Sequence, residues 1–211
     1  MIQNFNINKG EKVYFASDFH LGTPSKEDSL KREKRIVKWL DEIKVDAKAI
    51  FLVGDIFDFW FEYNQTIPKG FIRFQGKLIE LKDLGIDIYF FTGNHDMWMF
   101  SYFEEEFNIP IIRKPISIEI NSKKFLIGHG DGLGPGDGVY KILKKIFANK
   151  ICQFCFNWLH PNIGMAIANG WSRSSRAANN KKEEKSFGDK EWLVQYCKDV
   201  EKDYNFSSLR S

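Results

Sequence analysis

Four short clusters in this sequence combine carboxylates with imidazole or amide groups: Asp18-Phe19-His20, Asp55-Ile56-Phe57-Asp58, Asn94-His95-Asp96 and His129-Gly130-Asp131. Their ligand atoms are oxygen and nitrogen with no thiolate, which suits Mn²⁺, Mg²⁺, Fe or Zn²⁺ better than a soft ion. A carboxylate can bridge two ions, whereas an amide oxygen or an imidazole fills one position on one ion. Asp55, with Asp18 and His20 before it and Asn94 and His129 after it, therefore gives the composition of a two-metal site. Two such ions can activate a water and hold both oxygens of an in-line phosphoryl displacement. His95 is then free to protonate a leaving group or to stabilise transition-state charge. A single histidine at a strand end is ordinarily a hydrogen-bonded core residue. Here three of the 4 histidines fall beside Asp or Asn, and it is the repetition that argues for metal.

Each cluster follows an apolar run that can position it. Residues 49–53 have the length and β-branched content of a buried strand, so Asp55 stands just past its carboxyl end, where open α/β sheets bind ligands. Strands at 12–17, 86–91 and 124–127 precede the other three clusters, and a further strand is expected at 116–120. Four clusters at strand ends on one side of a sheet would form one site. Between them the spacing predicts three helices. One runs to Lys44 with Ser25 as cap and Leu30, Val37, Leu40 and Ile43 as its stripe. The others lie at about 70–84, stopped by Gly85, and at 97–107.

From Gly132 the character changes. The Gly-rich stretch 132–138 lacks the Gly-Lys-Ser/Thr ending of a phosphate-binding loop. Residues 139–177 read as helical and unusually apolar, with Phe147, Phe154, Trp158 and Trp171 among interleaved lysines and arginines. Helices of this kind pack on a core or lie on a membrane surface. A last helix is expected at about 189–203.

The 211 residues suffice for one domain with a sizeable core, and the 43% hydrophobic and 28% charged content is that of a globular protein. Aromatics reach 16%, enough for an apolar groove as well as a core. A net charge of +3 does not argue for nucleic acid. No apolar stretch approaches the ~20 residues of a membrane span, and the first residues lack the pattern of a secretory signal, so a cytosolic location is expected. Cys152 and Cys155 form a C-x-x-C pair and Cys197 stands alone, with no second pair to complete a structural zinc site. Buried, reduced thiols are expected.

In their order and spacing, Asp18-x-His20, Gly54-Asp55-x-x-Asp58, Gly93-Asn94-His95-Asp96 and Gly128-His129 resemble the signature of the calcineurin-like metallophosphoesterases over about the first 140 residues. Gly54–Trp60, His129–Gly132 and the apolar helices that follow are similar to the UDP-2,3-diacylglucosamine hydrolases of lipid A biosynthesis. That resemblance implies an α/β four-layer sandwich, two face-to-face β-sheets flanked by helices, with a helical lid inserted at about 139–188. It implies hydrolysis of the pyrophosphate of a UDP-sugar carrying two acyl chains, with two Mn²⁺ or other divalent ions, at the inner face of the cytoplasmic membrane. Asp18 and His20 would hold the first ion, Asp55 both, and Asn94 and His129 the second. Catalytic roles would fall to Asp55 and His95, and substrate contacts to Asn94, His95, Asp137, Ser175, Asn179 and Lys182. Two departures are visible. Many members of that family carry Arg where His95 stands, which leaves another phosphoester as an alternative substrate. Their late Gly-His-x-His motif has no counterpart after His160. The expectation from this is a single domain over 1–211, incomplete at its C-terminus and weakly active or inactive in this form. A metal-site remnant serving as a lipid-binding or scaffold module is the alternative of a different class.

Overall fold

A computed structural model describes residues 5–133, 138–167, 170 and 192–204. The chain divides into two compact units, Met1–His129 and Gly130–Ser211. The first is built on a parallel sheet of four strands in the order β1 (Lys12–Ala16), β2 (Ala47–Val53), β3 (Asp87–Phe91), β4 (Ile111–Ile112). Parallel neighbours need crossovers, supplied between β1 and β2 by α1 (Lys26–Ile43), between β2 and β3 by α2 (Ile72–Asp83), and between β3 and β4 by α3 (Tyr102–Phe107). An antiparallel hairpin, β5 (Ile116–Ile120) with β6 (Lys123–Ile127), forms the second sheet.

Alternation along β2 and β3 feeds two cores. Ile50, Leu52, Ile88 and Phe90 face Ile36, Leu40, Phe74, Leu78 and Phe103 of the helices. Ala49, Phe51 and Phe91 face Ile118, Ile120 and Ile127 of the hairpin. A parallel sheet and a second, antiparallel sheet with flanking helices agree with the expected α/β sandwich of two sheets flanked by helices. Phe57, Trp60 and Phe61, just past Asp55, are fully buried, so much of the aromatic content is core.

Local details differ from expectation for identifiable reasons. The buried face of α1 is Ser29, Glu33, Ile36, Leu40 and Ile43, displaced from the apolar stripe because two polar residues are buried. Glu33 accepts from the Arg73 and Phe74 amides at 2.9 and 3.1 Å, serving α2, whose N-cap Phe71 makes no side-chain bond. The helix expected at 97–107 is confined to α3. Residues before it turn instead, with the Met99 amide donating to Asp96 O at 3.2 Å, the Glu62 amide donating to Trp98 O and an isolated bridge from Phe61 to Trp98. The two-residue strand β4 was too short to leave a pattern.

The second unit contains α4 (Gly138–Ala148), α5 (Lys150–Asn157), helical residues 161–167 (α6) and α7 (Trp192–Tyr204). No residue of α5 is buried. Cys152, Cys155 and Cys197 are accordingly free and exposed, contrary to the burial expected of them. No helix among the described residues is long and apolar enough to cross a membrane.

Candidate metal centre

The first two clusters are zipped together by backbone. The amides of Asp18, His20 and Leu21 donate to the carbonyls of Gly54, Asp55 and Ile56 at 3.1, 2.9 and 2.9 Å. Asp18, His20 and Asp55 all adopt left-handed backbone, with φ of 58°, 44° and 53°. Three non-glycine residues in that sparsely populated region mark stored strain of the kind found at functional sites.

The third cluster is locked by Asp96. Its fully buried carboxylate accepts from the Gly93 and Ile56 amides at 2.7 and 2.8 Å, with longer contacts from Asp55 and Phe57 at 3.4 Å. Burial, followed by the negative charge of Asp55, raises its pKa to about 6 against the pull of those amides. Asp55 is approached from the same side. The His95 amide donates to its Oδ1 at 3.0 Å, and a Cβ on Gly93 would lie 2.1 Å from that oxygen. Asn94 sits between these two residues, half-buried.

His129 arrives from the other sheet. The sequence expectation of four clusters on one sheet is thus corrected: three belong to the parallel sheet and the fourth follows β6 of the hairpin. The gap it enters exists because residue 54 is glycine. A Cβ there would meet the imidazole at 2.6 Å. Asp131, its partner in the sequence cluster, belongs to the second unit, where Lys144 Nζ donates to its Oδ2 at 2.6 Å.

The side chains converge on Asp55. Its Oδ2 lies 3.9 Å from His20 Nε2 and 3.5 Å from His129 Nε2, and His20 Nε2 is 3.7 Å from Asp18 Oδ1. Asp18, Asp55 and His129 form one group able to hold an ion, and His20, Asp58 and His95 another. Asp58 was visible in the motif but not singled out as a ligand. Its Oδ1 lies 3.9 Å from both His20 Nδ1 and His95 Nδ1.

This donor set fits divalent ions. His129 Nδ1 lies 2.9 Å from the Val53 carbonyl, which can only accept, so Nδ1 carries the proton. In the neutral ring Nε2 then presents a lone pair to the Asp55 carboxylate. Two electron-rich atoms at that separation require a proton or a metal ion between them. Burial is the largest influence on His20 and lowers its pKa despite Asp55, favouring the neutral, ligating imidazole. Burial also raises Asp55, but where a proton rather than an ion lies between Asp55 and His129, the hydrogen bond and charge of the protonated His129 outweigh it, and the net shift is downward, toward the carboxylate. His95 Nδ1 is 2.9 Å from the Asp58 carbonyl, so it too carries the proton, leaving Nε2 for another partner. Asp137, Ser175, Asn179 and Lys182, expected to contact substrate, lie outside the described residues.

A family model described as calcineurin-like phosphoesterase matches residues 11–206. The chain is 35% identical over 202 residues to the UDP-2,3-diacylglucosamine hydrolase of Porphyromonas gingivalis, covering 89% of this chain and 76% of that one. It is 32% identical over 148 residues to the enzyme of that name from Proteus mirabilis, covering 70% of this chain and 61% of the other. The counterpart from Yersinia pestis is 28% identical over 141 residues, with 67% and 58% covered. The clusters that meet at Asp55 all lie within or beside the strands so matched, and the chain belongs to the calcineurin-like phosphoesterase family.

Proposed function

We propose that this chain hydrolyses the pyrophosphate of UDP-2,3-diacylglucosamine to 2,3-diacylglucosamine 1-phosphate and UMP, a step of lipid A biosynthesis. The observation that carries the reaction type is the approach of His20 and His129 to a single oxygen of Asp55. Asp18 and His20 would hold one divalent ion, Asn94 and His129 the other, and Asp55 both. Bound there, Mn²⁺ or a similar ion supplies Lewis-acid stabilisation of the phosphoryl oxygens and acidifies an attacking water. The protein's own part is orientation and proton handling. Asp96 ties the 93–96 turn to the loop after β2, and the Asp58 carbonyl fixes the ring of His95. With Nδ1 bonded to that carbonyl, Nε2 is the nitrogen of His95 left to serve the departing oxygen.

The choice of an acylated substrate is supported by the second unit and by the relatives' names. Ile151, Phe154 and Trp158 recur on one face of α5 and its end, with exposures of 72%, 62% and 77%. Ile142, Ile146, Ile163 and Ile167 are exposed on α4 and α6. So much uncovered apolar surface suits acyl chains or lipid. No Asp or Glu occurs from 138 to 182, which suits an anionic bilayer and a peripheral place on the inner face of the cytoplasmic membrane. We include Asp137, Ser175, Asn179 and Lys182 as contacts of the substrate head group, on their resemblance alone. The test compares the diacylated UDP-sugar with UDP-glucosamine. Each buried CH₂ contributes about 0.8 kcal/mol, about fourfold in affinity, so kcat/KM should fall steeply as chains shorten. Equal kcat/KM on both compounds would remove acyl recognition from this reading.

A further inference from the structure

The loop that carries Asp18 and His20 is gripped from both sides. Its amides face the loop after β2, as described above. The Leu21 carbonyl accepts from the Asp58 amide at 2.9 Å, while the carbonyls of Phe19, His20 and Thr23 turn the other way, toward α1. There Arg32 Nη1 lies 2.8 Å from His20 O, 3.0 Å from Thr23 O and 3.2 Å from Phe19 O. One turn earlier, the buried hydroxyl of Ser29 accepts from the Gly22 amide at 2.8 Å. The Phe19 ring packs between Trp39 and Phe74 on the same side, at centroid distances of 6.4 and 6.1 Å. Asp18 and His20 flank it in the chain, and their side chains meet Asp55 instead.

We infer that Arg32, assisted by Ser29, is a positioning residue that holds the 18–23 loop in the shape the proposed metal site needs. This rests on the two-metal reading above. A left-handed backbone at Asp18 and His20 is unfavourable by itself and persists only where surrounding bonds over-determine it. It also directs carbonyls away from any ladder partner. Carbonyls half-removed from water need donors, and a guanidinium is the side chain whose fixed, charged N–H groups can serve several at once. Two hydrogens on one nitrogen serve three oxygens here, so at least one is shared. Without that collection point the loop can relax toward ordinary backbone angles, which would rotate Asp18 and His20 away from Asp55. The loop bearing Asn94 has its own anchor in Asp96 and does not touch Arg32 through any of these bonds. The effect of losing Arg32 is therefore confined to one half of the site.

The test uses the whole chain as wild type, Arg32→Met and Arg32→Lys. Mn²⁺ uptake is followed by calorimetry, and amide hydrogen exchange is measured on the metal-free protein. Groups that orient metal ligands typically change affinity about 10–100-fold. Arg32→Met should weaken one of two Mn²⁺ binding steps by that factor and leave the other in place. Exchange should accelerate at 18–22 and not at 93–96. Arg32→Lys, which keeps charge and donors but not the planar fork, should recover part of the loss in both measurements. Unchanged binding with unchanged exchange at 18–22 would overturn the inference. So would equal weakening of both steps with exchange raised across the sheet, because that is general destabilisation. If the wild type takes up no Mn²⁺, the two-metal reading fails by itself and exchange at 18–22 still decides the role of Arg32. If Arg32→Met does not fold, Arg32→Lys and Ser29→Ala carry the same comparison.

Discussion

Gly93 has no room for a side chain: an added Cβ would stand 2.1 Å from Asp55 Oδ1 and 2.6 Å from the Asp55 amide nitrogen. The nitrogen is backbone, and the oxygen belongs to a buried carboxylate held by the His95 amide at 3.0 Å. Gly93→Ala should therefore displace Asp55 or the 93–96 turn, with turnover falling at least about 100-fold, as misplacement of about 1 Å can do. Mn²⁺ affinity should fall with it, and a variant that keeps wild-type kcat/KM and metal uptake would show that this close approach is dispensable. The residues around it differ in how readable they were. Asp18, His20, Asp55, Asn94 and His129 announced themselves because ligating side chains recur after apolar runs, and the structure draws Asp18, His20, Asp55 and His129 together. Asp96 was visible as part of a cluster, but its work, accepting amides of Gly93 and Ile56, depends on a contact across 40 residues that no local spacing reveals.

Helices α1 and α2 show both the reach and the limit of periodicity. Ser25 caps α1 as its sequence suggests, accepting from the Asp28 amide at 3.1 Å. Arg32 and Glu33, however, look like ordinary polar positions of an amphipathic helix, because what they hold lies in other elements. The same pair of helices is tied at the surface by Asp41 and Glu80 with Lys44 and Lys77. Hydrogen bonds from Lys44, then from Lys77, hold the Asp41 carboxyl below its ordinary value. A depressed carboxylate contributes stability that is present above its unfolded pKa and lost as pH falls through the folded one. The melting temperatures of wild type and Asp41→Asn should therefore differ at pH 6, approach each other below about pH 4, and merge in stronger acid. Because Asp41 is solvent-exposed, the gap should also shrink in high salt. A gap that stays constant into strong acid would mean that the substitution acts through something other than this charge.

At the scale of the whole molecule, the fold was legible because strand, helix and strand alternate through β4, and an alternating pattern of this kind specifies a parallel sheet with crossovers. The second unit was legible in composition only. Its helices were expected from apolar content, but composition left open whether they pack on a core or lie against lipid, since an apolar residue in a sequence is by default a core residue. Exposed Ile151, Phe154 and Trp158 on a segment free of acidic residues predict that the chain sediments with vesicles containing anionic lipid, less with neutral ones, and that added salt releases it. Binding that ignores lipid charge and salt would contradict that expectation. We propose that Asp55 organises a metal-dependent hydrolysis of a lipid-linked pyrophosphate. The most direct test is UMP release from UDP-2,3-diacylglucosamine by wild type and Asp55→Ala, each with added Mn²⁺ and with a chelator. Release by the wild type, however slow, should require Mn²⁺, be suppressed by the chelator, and be lost in Asp55→Ala together with Mn²⁺ binding. UMP release that survives Asp55→Ala or metal removal would contradict this proposal.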